Sequence, residues 1–132
     1  MKPYPFISLF QALVLLRVSV AIFFMAHAAV RIVNGSIPQF AAFLESTGLV
    51  YGTILVWLVS IYELTAGLLM ALGIMTRWMT TGFLFIAVIG ILLIHQHFGW
   101  FVGEHGTGGM EYSFSLIVSL VVIAASDIKT TK

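Results

Sequence analysis

Six side chains in this sequence could do chemistry out of contact with bulk water: Arg17, His27, Glu63, His95, His97 and Glu111. Glu63 is the most telling, because it stands inside Trp57–Ile74, where nearly every other residue is apolar or small. A carboxylate at bilayer depth costs about 2–3 kcal/mol on insertion scales, so it needs a partner or a task. Arg17 lies roughly 15 Å along the first apolar run, and Glu63 lies roughly 16 Å from the far end of the second, at helical rise. Similar depth on antiparallel neighbours predicts an Arg17–Glu63 ion pair facing the interior, where each charge offsets the burial of the other. The plainer alternative is a structural clamp that holds helix register.

His27 follows Arg17 by ten residues, and His95 and His97 close the third apolar run. Residues two apart point about 200° apart on a helix, so only one of that histidine pair can face inward. Glu111 opens the fourth run. The expectation is an interior in two tiers: Arg17 and Glu63 in one, His27, Glu111 and one of His95 or His97 in the other. The candidate ligand-binding set is therefore Arg17, His27, Glu63, Glu111 and His97. Carboxylate and imidazole at such depth can hydrogen-bond a polar ligand or pass protons to it. Histidines at helix ends also serve as interfacial groups satisfied by water. No His-x-x-x-His or Glu-x-x-His spacing supports a metal, so none is expected. A bis-histidine haem is left open by the similar depth of His27 and the His95/His97 pair.

These groups must be positioned by elements that the composition restricts. The chain has 132 residues, of which 61% are hydrophobic and 8% charged. Soluble domains carry about 25% charged residues. This chain could not cover a water-facing surface, and a single integral membrane domain over residues 1–132 is the expected class. A net charge of +1 provides no nucleic-acid footprint. The absence of cysteine removes disulfides, thiolate ligands and thiol redox chemistry. The glycines Gly106, Gly108 and Gly109 do not form a phosphate loop, and no arrangement suggests a Ser-His-Asp triad.

Four apolar segments stand out, at about 6–33, 50–74, 78–96 and 110–126. The first is longer than the roughly 20 residues a crossing needs, and the fourth is short. Ala26-His27-Ala28 faintly resembles a signal-cleavage site, but the long run before it, interrupted by Arg17, reads as a retained membrane helix. Short links favour an all-α, up-down bundle of four transmembrane helices, with Gly67, Ala71, Gly73, Gly82 and Gly90 supplying close-approach faces. In the first outer loop, Ser36 and Gln39 have capping-box spacing, and Pro38 suits a first turn. Ile37, Phe40, Ala41 and Leu44 share one face, and Gly48 ends the segment, so a short interfacial helix is expected there. Ser115, Ser119 and Ser126 form a polar stripe on the fourth run, expected to face other helices or a cavity. Lys2, Arg77, Lys129 and Lys132 fall on one side of a four-crossing chain, which places both termini in the cytoplasm of a plasma-membrane protein.

The ordered set of motifs resembles the DoxX family of small four-span membrane proteins of bacteria and archaea. That family's pattern has an Arg in the first span, His-Gly ten residues on, and a basic residue four after the His. Here it reads Arg17, His27-Ala28 and Arg31, with alanine replacing the glycine and arginine the usual lysine. Glu63, Gly67, Gly73 and Thr76-Arg77 match the second span and its turn. His97 with Phe98-Gly99-Trp100-Phe101 matches the end of the third span, and Gly109-Met110-Glu111 the opening of the fourth. The family takes its name from a subunit of an archaeal terminal quinol oxidase linked to thiosulfate oxidation. The resemblance implies a membrane subunit associated with a quinone-linked redox complex, an accessory subunit rather than a self-sufficient enzyme. It would hold no cofactor of its own beyond a bound quinone, with lipid and other membrane subunits as partners and a homo-oligomer left open. The family transfers no catalytic residues. A small-solute carrier and a purely structural assembly subunit are the competing readings.

Overall fold

The protein is described by a computed structural model covering residues 6–102 and 109–127. Lys2, Glu104, His105, Lys129 and Lys132 lie outside the described residues. Within them the chain is helical: α1 Leu9–Val33, α2 Ile37–Ser46, α3 Gly52–Leu72, α4 Thr76–Leu93, a 3-10 turn His95–Phe98, and α5 Met110–Ser126. Helices α1, α3 and α4, of 25, 21 and 18 residues, are long and apolar enough to cross a membrane; α5 is apolar but shorter, at 17 residues.

Helix α1 starts at a capping box that spacing alone could have located. The Gln11 N–H donates to Ser8 Oγ at 3.2 Å, and the Ser8 N–H donates to Gln11 Oε1 at 2.8 Å. The capping box expected at Ser36 and Gln39 does not form. The Ser36 hydroxyl donates instead to the Arg31 carbonyl at 3.3 Å, tying α2 to the end of α1. Helix α2 itself buries the expected face, Ile37, Ala41 and Leu44. It ends at Gly48, whose φ of +94° suits glycine, with the Leu49 N–H returning to the Leu44 carbonyl at 3.2 Å.

One acidic and one small residue then set α3 against α2. Glu45 Oε1 accepts from the Gly52 N–H at 3.0 Å, placing a carboxylate on the uncompensated N-terminus of α3. A Cβ on Gly52 would collide with the Ala41 carbonyl, so the two backbones meet there. Helix α3 closes at Gly73 (φ +77°), where the Ile74 and Gly73 N–H groups donate to Leu69 and Met70 carbonyls at 2.8 and 3.1 Å.

Helices α1, α3, α4 and α5 pack as a closed ring of neighbours in that order, with α2 lying on α3. The core comprises Val20, Ala21, Phe24, Ala66, Met70, Phe83, Leu116, Leu120 and Ile123. Phe24 stacks on Phe83 with ring centroids 4.2 Å apart, and Tyr62 meets Phe83 edge-on at 5.4 Å. Glycines make the close approaches possible. A Cβ on Gly67 would lie 2.5 Å from Met25 Cγ, and one on Gly82 would overlap the Tyr62 phenol, whose hydroxyl donates to the Met79 carbonyl at 2.9 Å.

The serine stripe of α5 requires a correction. Ser115 is exposed and Ser119 half-exposed, while the buried face of α5 is Ser113, Leu116, Leu120 and Ile123. The Ser115 and Ser119 hydroxyls donate to the carbonyls one turn back, Glu111 and Ser115, at 2.9 and 2.8 Å. A serine satisfied by its own helix needs no neighbour, so polarity in this stripe does not report the interior.

Candidate functional site

Glu63 is buried in the ring, with its side chain 5% exposed, but its partner is Arg31. Arg31 Nη1 donates to Glu63 Oε2 at 2.9 Å and to Ser60 Oγ at 2.7 Å. Ser60 and Glu63 are one turn apart on α3, so both face the same guanidinium. Its Cζ also lies 5.1 Å from the centroid of the Phe40 ring, a cation–π contact from α2. Arg31 occupies the last turn of α1, where a cation complements the helix dipole. Its side chain leans back toward the N-terminus of α1, as long side chains on helices do, and so reaches a carboxylate below its own level. One arginine thus joins α1, α2 and α3.

The expected Arg17–Glu63 pair does not exist. Arg17 lies at the other end of α3: a Cβ on Gly73 would sit 3.1 Å from both of its terminal nitrogens. The reason is register. The α1–α3 contacts run from Arg17 against Gly73, through Ala21 and Met25 against Gly67, to Arg31 against Ser60. The first two turns of α1 therefore overhang the Gly73 turn, and equal distances from the segment ends do not mean equal depth.

The other candidates lie at the α2 end but do not converge. His27 is on the rim of an open depression of about 440 Å³, together with Val30, Arg31, Ser36, Gln39 and Phe40. His27 and Arg31 are one turn apart on α1, which is why they share this depression. Helix α4 stops at Leu93, and the 3-10 turn after it leaves His97 exposed and His95 half-buried over Gly90. Burial lowers the His95 pKa below its ordinary value of 6.5, so the imidazole is neutral at neutral pH. Glu111 is engaged by backbone. Its Oε1 accepts from the Val102 N–H at 2.9 Å, and its own N–H donates to the Trp100 carbonyl at 3.0 Å. Gly109 permits this junction, since a Cβ there would come within 2.5 Å of the Trp100 carbonyl oxygen.

The structure thus brings His27 together with Arg31, and Arg31 with Glu63, while Arg17, His97 and Glu111 each stand apart. Among the described residues, no group of three or more His, Asp or Glu is placed to hold a metal ion. Arg31, Ser36, Gln39 and Phe40 are additions to the expected site. The available signal for Arg31 is its spacing of one turn from His27, which enters the sequence reading only through the family resemblance.

With this geometry in place, comparison with known proteins is decisive on one point. The DoxX family model matches residues 12–96. The chain belongs to the DoxX family. The match covers α1 to the start of the 3-10 turn, so it includes Arg17, His27, Arg31 and Glu63, while His97 and Glu111 lie beyond it. No curated protein and no solved structure matches the chain. DoxX membership and the three long apolar helices make this a membrane protein in contact with lipid.

Proposed function

We propose that this DoxX protein is a four-crossing plasma-membrane subunit, with both termini cytoplasmic, that serves a quinone-linked redox complex and binds the quinone headgroup in the depression at the α2 end. The observation that carries this reading is the lining of that depression. His27, Arg31, Ser36 and Gln39 bring donors and acceptors, while Val30 and Phe40 supply apolar walls. A quinone headgroup is a flat ring with two carbonyl acceptors, and such sites combine apolar walls with few polar anchors. Arg31 is held rigid by Glu63 and Ser60, which presets the depression's cationic side. Electrons come from a partner subunit, and the exposed apolar surfaces of the helices, Leu58, Ile61, Phe85 and Val121 among them, meet lipid and that partner.

The test uses His27→Ala combined with Gln39→Ala, at exposed positions that leave the Arg31–Glu63 pair intact. Protein purified from its native membrane should carry quinone, and the double variant should carry about tenfold less at an unchanged melting temperature. Equal quinone in the two preparations, or none in the parent, sinks the reading. A structural subunit is the second reading, favoured by Arg31 spending its contacts on tying three helices together. It predicts that deleting the protein disperses the partner complex while the double variant sustains it fully.

A further inference from the structure

Two buried polar atoms have no hydrogen-bond partner among the described residues: Arg17 Nε and Thr76 Oγ1. Both lie at the same end of the molecule, opposite the depression. Arg17 precedes the buried Val20 and Ala21 by three and four residues, so it occupies the inward face of α1. Its terminal nitrogens press against Gly73. Thr76, three residues further on, opens α4 with 1% exposure and shares that helix's inward face with Thr80 and Phe83.

The usual partners are missing for structural reasons. The Thr80 hydroxyl donates one turn back, to the Thr76 carbonyl at 2.7 Å. Thr76 is the first residue of its helix and has no preceding turn to use, and Met75 before it supplies no side-chain cap. Arg17 makes no hydrogen bond to an α3 carbonyl or to a carboxylate among the described residues. Asp127, the acidic group at this end among those residues, accepts from the Arg77 N–H at 3.3 Å instead.

Arg17 Nε is a donor only and the Thr76 hydroxyl is able to donate, so one acceptor serves both. We propose that this end of the protein binds a phosphate-type oxyanion, held by the Arg17 guanidinium and the Thr76 hydroxyl at the start of α4. A guanidinium presents paired N–H groups that match two oxygens of such a group. The exposed Arg77 adds positive charge at this end, while the Asp127 carboxylate takes up one first-turn N–H of α4, leaving the guanidinium as the main cation for the ligand. The same chemistry is available as a lipid phosphodiester or as free phosphate. The overhanging first turns of α1, with Leu9 and Phe10 exposed, give an acyl chain a surface next to the guanidinium. This inference does not depend on the quinone reading, which concerns the opposite end.

The experiment measures binding to the full chain, delipidated in a neutral detergent, by native mass spectrometry and thermal melting. The probes are phosphatidylglycerol, phosphatidylcholine and inorganic phosphate. The parent should bind phosphatidylglycerol, and Arg17→Gln and Thr76→Val should each weaken binding, Arg17→Gln by about tenfold or more. Arg17→Lys keeps the charge but loses the paired donors, so it should also bind more weakly while folding normally. Arg77→Gln, next to the site and exposed, should change binding less than either Arg17 variant. Protection by phosphatidylglycerol but not by inorganic phosphate assigns a lipid ligand, and protection by both assigns a free oxyanion. Equal binding by the parent and Arg17→Lys with every probe overturns the proposal, as does an effect of Arg77→Gln matching that of Arg17→Lys.

Discussion

At the scale of single residues, the molecule turns on a choice of partner. Glu63 has two arginines on the neighbouring helix and takes the one nearer the α2 end, because α1 is shifted along α3 and Arg31 can reach back. Removing one member of a buried pair leaves an uncompensated charge and costs about 3–5 kcal/mol. Glu63→Ala and Arg31→Ala should each destabilise the protein on that order, and the double variant should lose much less than the sum. Glu63→Ala and Arg17→Ala, whose side chains sit at different levels, should add instead. Reversible unfolding in detergent distinguishes the two cycles; strong coupling of Glu63 to Arg17 would contradict the register of α1 on α3. That Glu63 would be buried and paired was legible in the sequence, since an isolated carboxylate in an apolar run has few alternatives. Which arginine it would choose was not, because the answer depends on how far one helix slides along another. Glu111 illustrates a similar limit. Its type and depth suited a pocket, but its local backbone, through Gly109 and Val102, engaged it first.

At the scale of helices, small residues decide what packs, and their environments give opposite signs to one substitution. Gly82 in α4 makes room for Tyr62, so Gly82→Ala should destabilise by about 1–3 kcal/mol through overpacking. Gly90 lies on the same helix, but its nearest would-be contact is His95 Cδ2 at 3.9 Å. There Gly90→Ala should stabilise by up to about 1 kcal/mol, because only backbone entropy changes. Melting temperatures of the two variants should move in opposite directions, and a shared sign would refute the packing account. The helices themselves were largely legible. The expected fourth run, 110–126, coincides with α5, and the expected short segment after Ser36 is α2. The first apolar run begins a few residues before α1 because Phe6 and Ile7 are apolar, whereas the Ser8–Gln11 cap sets the true boundary. The break after Leu93 carries little signal, because Ile94 is apolar and no proline or glycine intervenes between Leu93 and Gly99.

At the scale of the whole molecule, the two ends carry different chemistry, and their assignment to the two faces of the membrane can be measured. The chain contains no cysteine, so single cysteines report cleanly. In the proposed orientation, Ser46→Cys, exposed at the end of α2, should react with an impermeant maleimide added outside intact cells, and Ile74→Cys at the Gly73 turn should react only after lysis. The reverse pattern would invert the proposed topology. The overhang of α1 bears on the surrounding lipid as well. Helices of 25 and 17 residues stand in one ring, about 37 and 26 Å tall at helical rise. In the proposed four-crossing arrangement, lipids meet a taller rim beside α1 and a lower one beside α5. Since each ångström of mismatch carries a modest cost, that arrangement implies a wedge that a uniform bilayer fits poorly. It should accordingly prefer curved or thickness-graded membrane, a bias set by helix lengths alone and independent of any ligand it holds.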